Sequence, residues 1–296
     1  MSLNLAYMYT IKNDQLSVTI AAKGAELQSI FNTTHNLEYM WSGDAAYWAK
    51  KSPVLFPIVG TLKDNQYIFN GQSYALSRHG FARDKVFDIT AQSESSITFT
   101  LTDSADTLAI YPFAFALHII YAVQQDELIV TYKVENKNAG NLYFSIGGHP
   151  AFKVPLVPGT IYSDYALHFN KTESAGRWPI SHDGLLQKEP LPCLQNTNIL
   201  PLSKALFQQD ALVFKHLQSD TVQLQSDKTP HGITFTFTGF PYLGIWAAPN
   251  ADFVCIEPWC GIADSVDSNG QLTDKEGIIA LALQDTFAIS WKVRCY

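Results

Sequence analysis

Short runs in which apolar and polar residues alternate recur along the whole chain, and no long helical pattern separates them. QLSVTI (15–20), SITFTL (96–101), HIIYAV (118–123), LIVTYKV (128–134), TVQLQS (221–226) and GITFTF (232–237) are rich in Val, Ile, Thr, Phe and Tyr. A period of two places one set of side chains on a buried face and the other toward solvent, as a half-buried strand requires. Asn-Gly within YIFNGQSYAL (67–76) marks a tight hairpin, and Asn13-Asp14 within IKNDQLSVTI marks a weaker one. VENKNAGNLYFSI carries a turn-rich segment at 135–141. Helical patterning is confined to a short turn in DSADTLAIYPF (103–113) and one or two turns in PLSKALFQQDAL (201–212). Strands without intervening long helices disfavour a parallel βαβ architecture. The expected fold is all-β: one large antiparallel β-sandwich domain over 1–296, with long loops at 153–165 and 171–200.

Composition agrees with a large core. Hydrophobic residues make up 47% of the 296 and charged residues 16%, against about 25% charged in an average soluble protein. A net charge of −7 argues against nucleic acid or an anionic membrane as partner. No run approaches the roughly 18 apolar residues of a membrane span. The opening MSLNLAYMYT has neither a basic region nor a long apolar stretch, so no secretion signal is expected and the glycosylation patterns at Asn32 and Asn170 are read as chance. A cytoplasmic location follows as the expectation. The four cysteines, Cys193, Cys255, Cys260 and Cys295, are too few for a disulfide framework and are read as reduced packing residues. No isolated apolar helix marks an interface, so a monomer or weak homodimer is expected.

Three stretches break the alternation: SRHGFAR (77–83), GGHPAF (147–152) and CIEPWCG (255–261). His149 and Glu257 each precede a proline, which pushes the backbone toward extended geometry and fixes the side-chain direction. Gly147 and Gly148 weaken a strand but let another group approach closely. Such irregularity is common beside binding surfaces. Glu257 lies in the apolar run FVCIEPW, where an unpaired carboxylate is costly. It therefore has either a partner, for which Arg83 is the candidate, or a chemical task. A lone histidine in a strand is more often packed than catalytic, and Gly80 after His79 is also an ordinary turn signal. Together, a histidine and a glutamate across one cleft suit general acid–base chemistry. No Gly-x-Ser-x-Gly elbow or phosphate loop is present, and Glu257 has no evident second carboxylate, which counts against a glycosidase. His79, His149 and Glu257 are also metal-ligand types, and their separation in the chain decides neither way. Tyr47, Trp48, Phe56, Phe81, Phe152, Trp246 and Trp259 are candidates for stacking on a sugar. Core packing accounts for most of them, and Trp259, two residues beyond Glu257, is the strongest.

SPVLFPIVG, HGFAR, FSIGGHPAF and CIEPWCG, in that order, resemble the aldose 1-epimerase (galactose mutarotase-like) superfamily, in particular its LacX-type branch. The resemblance runs from about Gly24 to Ile289. It implies the large β supersandwich fold and an isomerase that interconverts the α and β anomers of a hexose by opening and reclosing the ring. It implies His149 as general acid, Glu257 as general base, and His79, Arg83, Asp210, Lys63 and Trp259 as sugar-binding residues. The partner is then a small sugar, with no metal and no cofactor. Members that act on hexose phosphates carry an arginine before the P-x-x-F-P segment. Here that region reads YWAKKSPVLFP, with Lys50 and Lys51 beside Ala49, so a free aldose is at least as well supported as a phosphosugar. The alternatives are a hexose-6-phosphate 1-epimerase, a non-catalytic carbohydrate-binding sandwich, and a hydrolase or lyase on a similar fold.

Overall fold

The structure is a computed structural model and describes residues 7–296; part of the amino-terminal stretch discussed above, residues 1–6, lies outside the described residues. Nine strands form one antiparallel sheet in the order Leu191–Pro201, Ala166–Arg177, Thr221–Ser226, Thr229–Thr236, Thr286–Cys295, Glu127–Asn136, Phe115–Gln124, Ser96–Thr102, Asp88–Gln92. A six-stranded sheet runs Leu212–Lys215, Tyr242–Trp246, Phe253–Cys260, Ile146–Gly148, Val54–Leu55, with Ala151–Lys153 also paired to Phe253–Cys260. A four-stranded sheet from Met8–Lys12 to Leu37–Glu38 and two small two-stranded sheets, the hairpin Gln66–Phe69 with Gln72–Ala75 and the long-range pair Leu142–Phe144 with Ile279–Leu281, complete the architecture.

The alternation read from the sequence is the burial pattern of the large sheet. In Glu127–Asn136 every second residue is buried, including Leu128, Val130, Tyr132 and Val134. Those side chains point at the six-stranded sheet. A Cβ on Gly148 would lie 2.5 Å from the Tyr132 hydroxyl, and Phe152 meets Phe235 edge-on at 5.8 Å. Two sheets packed face to face through interdigitated apolar side chains make the sandwich. At the Asn-Gly hairpin, Asn70 (φ 50°) and Gly71 (φ 77°) join Gln66–Phe69 to Gln72–Ala75. Both central residues are left-handed, as that turn requires. The weaker Asn13 turn also forms, with the Asn13 carboxamide oxygen accepting from the amides of Gln15 and Leu16. The short helix is Ala105–Ile110, capped reciprocally by Ser104 and Thr107.

The segment 171–200 departs from the expected loop. Ala166–Arg177 and Leu191–Pro201 pair along a long, bulged hairpin, and only 178–190 connects them. In its outer half only Glu173 and Leu194 are fully buried, and the pairing shifts register between His168 and Gly176, so no regular alternation runs through it and the strand signal disappears. In 201–212 the helical content is a single tight turn, Lys204–Phe207. The segment 153–165 is irregular apart from Lys153, which ends the strand Ala151–Lys153, and the turn Tyr162–Asp164. Among the described residues no helix is long and apolar enough to cross a membrane. All four cysteines are free. Asn32 is buried with its amide on the Cys295 carbonyl, which closes that position to glycosylation.

Candidate active site

The strand Phe253–Cys260 is buried along its whole length at the centre of the six-stranded sheet. Period two puts Cys255, Glu257 and Trp259 on one face. The glycines of neighbouring strands make room for that face. A Cβ on Gly147 would come within 2.6 Å of the Trp259 ring, and one on Gly244 within 2.5 Å. The indole lies against bare backbone, so the broken strand FSIGGHPAF is explained by a close approach. Pro150 separates the short strands Ile146–Gly148 and Ala151–Lys153. His149, in that break, reaches the same face.

His149 Nε2 stands 3.3 Å from Glu257 Oε2. The imidazole is walled by Trp48 (ring centroids 4.9 Å apart), Trp246 (5.6 Å) and His79 (5.9 Å). Both members of the pair are buried. Burial pushes the Glu257 carboxyl well above its usual range, with Asp210 adding to the rise and Arg78 opposing it. Burial likewise lowers the His149 imidazole to about 3, with a smaller push from Arg78 and Arg83. Two groups this close titrate as a unit, and between those limits the pair holds one proton. Burial also keeps His79 neutral, with His149, Arg78 and Arg83 acting in the same sense. Its Nδ1 accepts the Gly60 amide at 3.1 Å, so its proton resides on Nε2, which is left as a donor.

The pair forms part of a cavity of about 490 Å³, which His79, Arg83, Asp210 and Trp259 also line. That volume suits a small-molecule ligand. Arg83 does not pair with Glu257. Its guanidinium donates to the Arg78 carbonyl at 2.8 Å, and its nearest carboxylate is Asp84 at 3.8 Å. The simplest structural explanation of Glu257 therefore falls away. Lys63 is not brought to the cavity. Its amine donates to the Ser268 carbonyl at 3.2 Å in a separate surface hollow, because its backbone is tied to Asp264. Lys51 donates to the Gln28 carbonyl and Lys50 lies 3.9 Å from Asp84; neither lines the cavity. Of the aromatic candidates, Trp48, Trp246 and Trp259 line it, Phe56, Phe81 and Phe152 are core, and Tyr47 is exposed elsewhere.

The sequence reading missed Arg78, which lies 3.9 Å from Asp210 at the cavity wall. Its position directly before His79 was the available signal. Ile180 and Leu186, from the hairpin connection, and Phe207 also line the cavity, and no local pattern marks them. The site is short of partners. Arg83 Nε, His149 Nδ1, Glu257 Oε2 and Trp259 Nε1 are buried with no hydrogen bond. Buried polar groups are rarely left so, and clustered around one cavity they call for a polar ligand. Of metal-ligand types, the structure groups His149, Cys255 and Glu257, whose donor atoms lie within 4.8 Å of one another; His79 falls outside that group.

Comparison with known proteins bears on the whole chain. Protein LacX of Lactococcus lactis subsp. lactis, in its plasmid and chromosomal forms, is 33% identical over 292 residues, 96% of this chain and 97% of the relative. A solved galactose mutarotase related enzyme from Lactobacillus acidophilus superposes with a TM-score of 0.93 at 34% identity, over 98% of this chain and 97% of that one. A galactose mutarotase-like protein from Lactobacillus casei ATCC 334 gives a TM-score of 0.92 at 32% identity, over 98% and 100%. The sequence profile described as Aldose 1-epimerase matches residues 7–279. With likeness of sequence and of fold both running through nearly the whole chain, this protein belongs to the aldose 1-epimerase family.

Proposed function

We propose that the protein interconverts the α and β anomers of a hexose or hexose derivative, with His149 and Glu257 as the proton-transfer pair. The observation that carries this reading is their 3.3 Å separation in a sugar-sized cavity. The two oxygens of an anomeric centre hang from one carbon and lie side by side, as these two groups do. Glu257 takes the proton of the O1 hydroxyl while His149 gives one to the ring oxygen O5. The C1–O5 bond breaks, leaving a C1 aldehyde and an O5 hydroxyl. C1 turns about C1–C2, and the reverse transfers close the ring on its other face.

The proton count closes on the pair alone. It starts as imidazolium and carboxylate, becomes imidazole and carboxylic acid while the sugar is open, and returns. Burial favours the neutral arrangement, which is the one occupied opposite the open-chain aldehyde. The polar groups of bound sugar and the Arg78 charge offset the cost of the charged arrangement. Positioned acid and base each supply about 10²–10⁴ in rate. His79 Nε2–H, Arg83 and Asp210 are assigned to sugar hydroxyls, and the indoles of Trp48, Trp246 and Trp259 to its apolar faces. A non-catalytic binding protein would have no use for a proton-sharing pair at the cavity wall.

The test is anomeric NMR or polarimetry on freshly dissolved α-glucose, α-galactose and their 6-phosphates. Equilibration faster than buffer for at least one sugar in a broad panel is expected, and none for any would favour the binding-only alternative. The pH profile follows from the shifts. On the acid side activity falls when His149 protonates while Glu257 still holds its proton. That limb lies well below the ordinary histidine value of about 6.5, since the imidazole is lowered to about 3. On the alkaline side activity falls when the pair loses its one proton, above the ordinary carboxylate range. A kcat/KM profile with its acid limb at or above the ordinary histidine value would contradict the assignment. His79→Asn removes one neutral donor, worth about 0.5–1.5 kcal/mol. KM is expected to rise about three- to tenfold with a smaller change in kcat, and a kcat loss as large as that of Glu257→Gln would give His79 a different role.

A further inference from the structure

Cys255 has no part in the proton transfers, yet the strand that carries Glu257 places it two residues earlier on the same face. Its thiol is fully buried and free. The Cys255 sulfur, a His149 ring nitrogen and a Glu257 carboxylate oxygen lie within 4.8 Å of one another. One nitrogen, one sulfur and one oxygen are the donor types that borderline-soft divalent cations accept. Tetrahedral bonds of about 2.0 Å to nitrogen and oxygen and about 2.3 Å to sulfur put the nitrogen and oxygen about 3.3 Å apart and each of them about 3.5 Å from the sulfur. The His149–Glu257 edge already stands at 3.3 Å, and side-chain movement of at most about 1.3 Å closes the remaining edges. A second observation points to a ligand here: Glu257 Oε2, the carboxylate oxygen of that edge, is fully buried without a hydrogen bond. The cavity reaches His149 and Glu257, which gives a cation a path to them.

We propose that His149, Cys255 and Glu257 form an inhibitory site for a divalent cation of the zinc class. The cation takes the thiolate, the carboxylate and an imidazole lone pair. The thiol proton and the single proton of the His149–Glu257 pair leave to solvent, two per cation. With both transfer groups ligated, neither an acid nor a base remains for the sugar. The inhibition rests on the epimerase reading, whereas the binding does not.

Two measurements separate these. Titration of the full-length reduced protein with cadmium chloride, followed by the ultraviolet cadmium–thiolate charge-transfer band, reads the site without any turnover. One equivalent is expected to saturate the band in the wild type and in Cys193→Ser, and the band is expected to vanish in Cys255→Ala. His149→Asn keeps the thiol and is expected to weaken binding at least about tenfold, since even supporting residues of metal sites are worth 10–100-fold. It keeps the test open should Cys255→Ala fail to fold. Mutarotation rates at rising zinc or cadmium, each relative to the same variant without metal, are expected to show inhibition in the wild type and at least a tenfold loss of sensitivity in Cys255→Ala. A wild-type titration without the band, or a band that survives in Cys255→Ala, overturns the site. Binding intact without inhibition of an active enzyme overturns the regulatory role alone.

Discussion

Glu257→Gln is expected to lower kcat by about two to four orders of magnitude while leaving the fold unchanged, and His149→Asn to do the same. The glutamine amide matches the carboxyl in shape and offers no acceptor basic enough to take the O1 proton. Burial already holds the Glu257 carboxyl toward its neutral form, so a neutral amide adds no desolvation cost, and the denaturation midpoint is expected to stay at or above that of the wild type. The His149→Asn variant presents an amide in place of the imidazole and cannot deliver a proton to O5. In the proposed mechanism the two groups, 3.3 Å apart, act as one proton-sharing unit, so the double variant is expected to be little worse than either single one. Progress curves of α-sugar equilibration with circular dichroism of each variant decide the matter. Near-normal turnover in either single variant would remove that residue from the mechanism. Additive losses would mean that the pair works as two separate catalysts.

What the chain discloses about itself depends on how local the cause is. Strands such as Glu127–Asn136 were legible because one face meets the core and the other does not; the alternation is that asymmetry written in residues. The hairpin arm 166–201 was illegible past its base because its register shifts repeatedly and its few buried positions, Glu173 and Leu194 among them, fall at no regular spacing. His149 and Glu257 stood out through the local cost of an acid in an apolar strand and of prolines and glycines in a sheet. Their meeting is not local. It follows from Ile146–Gly148 and Ala151–Lys153 both pairing with Phe253–Cys260, a long-range register that motif order hinted at through family resemblance. Lys63 shows the converse: a suitable residue type near a conspicuous segment, turned away by the tie of its backbone amide to Asp264. The neighbourhood of Cys255 was hidden for a related reason, since a buried cysteine in an apolar strand looks the same whether or not a histidine from another strand lies beside it.

That tie leads to the part of the molecule where stability and site geometry meet. Asp264 and Lys275 form an ion pair at 2.7 Å with side chains only 4% and 2% exposed. Burial lowers the Lys275 ammonium and the Asp264 charge opposes that shift. The Asp264 backbone joins the carbonyl of Thr61 to the amide of Leu186, and its second carboxylate oxygen holds the Lys63 amide at 2.9 Å. Leu186, Ile262 and Ala263 line the cavity, so one residue, through its backbone and its carboxylate, braces three segments behind a single wall of the site. Lys275→Met leaves that carboxylate charged, buried and uncompensated, and is expected to cost about 3–5 kcal/mol, read as a lowered urea midpoint. KM is expected to rise as the wall loosens, with kcat less affected because Glu257 is held within the sheet strand Phe253–Cys260 and His149 between two strands paired to it. Adding Asp264→Asn should restore most of the loss: the amide oxygen still accepts from Lys63, and no charge remains to be neutralised. A Lys275→Met protein within about 1 kcal/mol of wild type, or a double variant no better than the single, would show that water reaches the pair and that the wall of the cavity is held by packing alone.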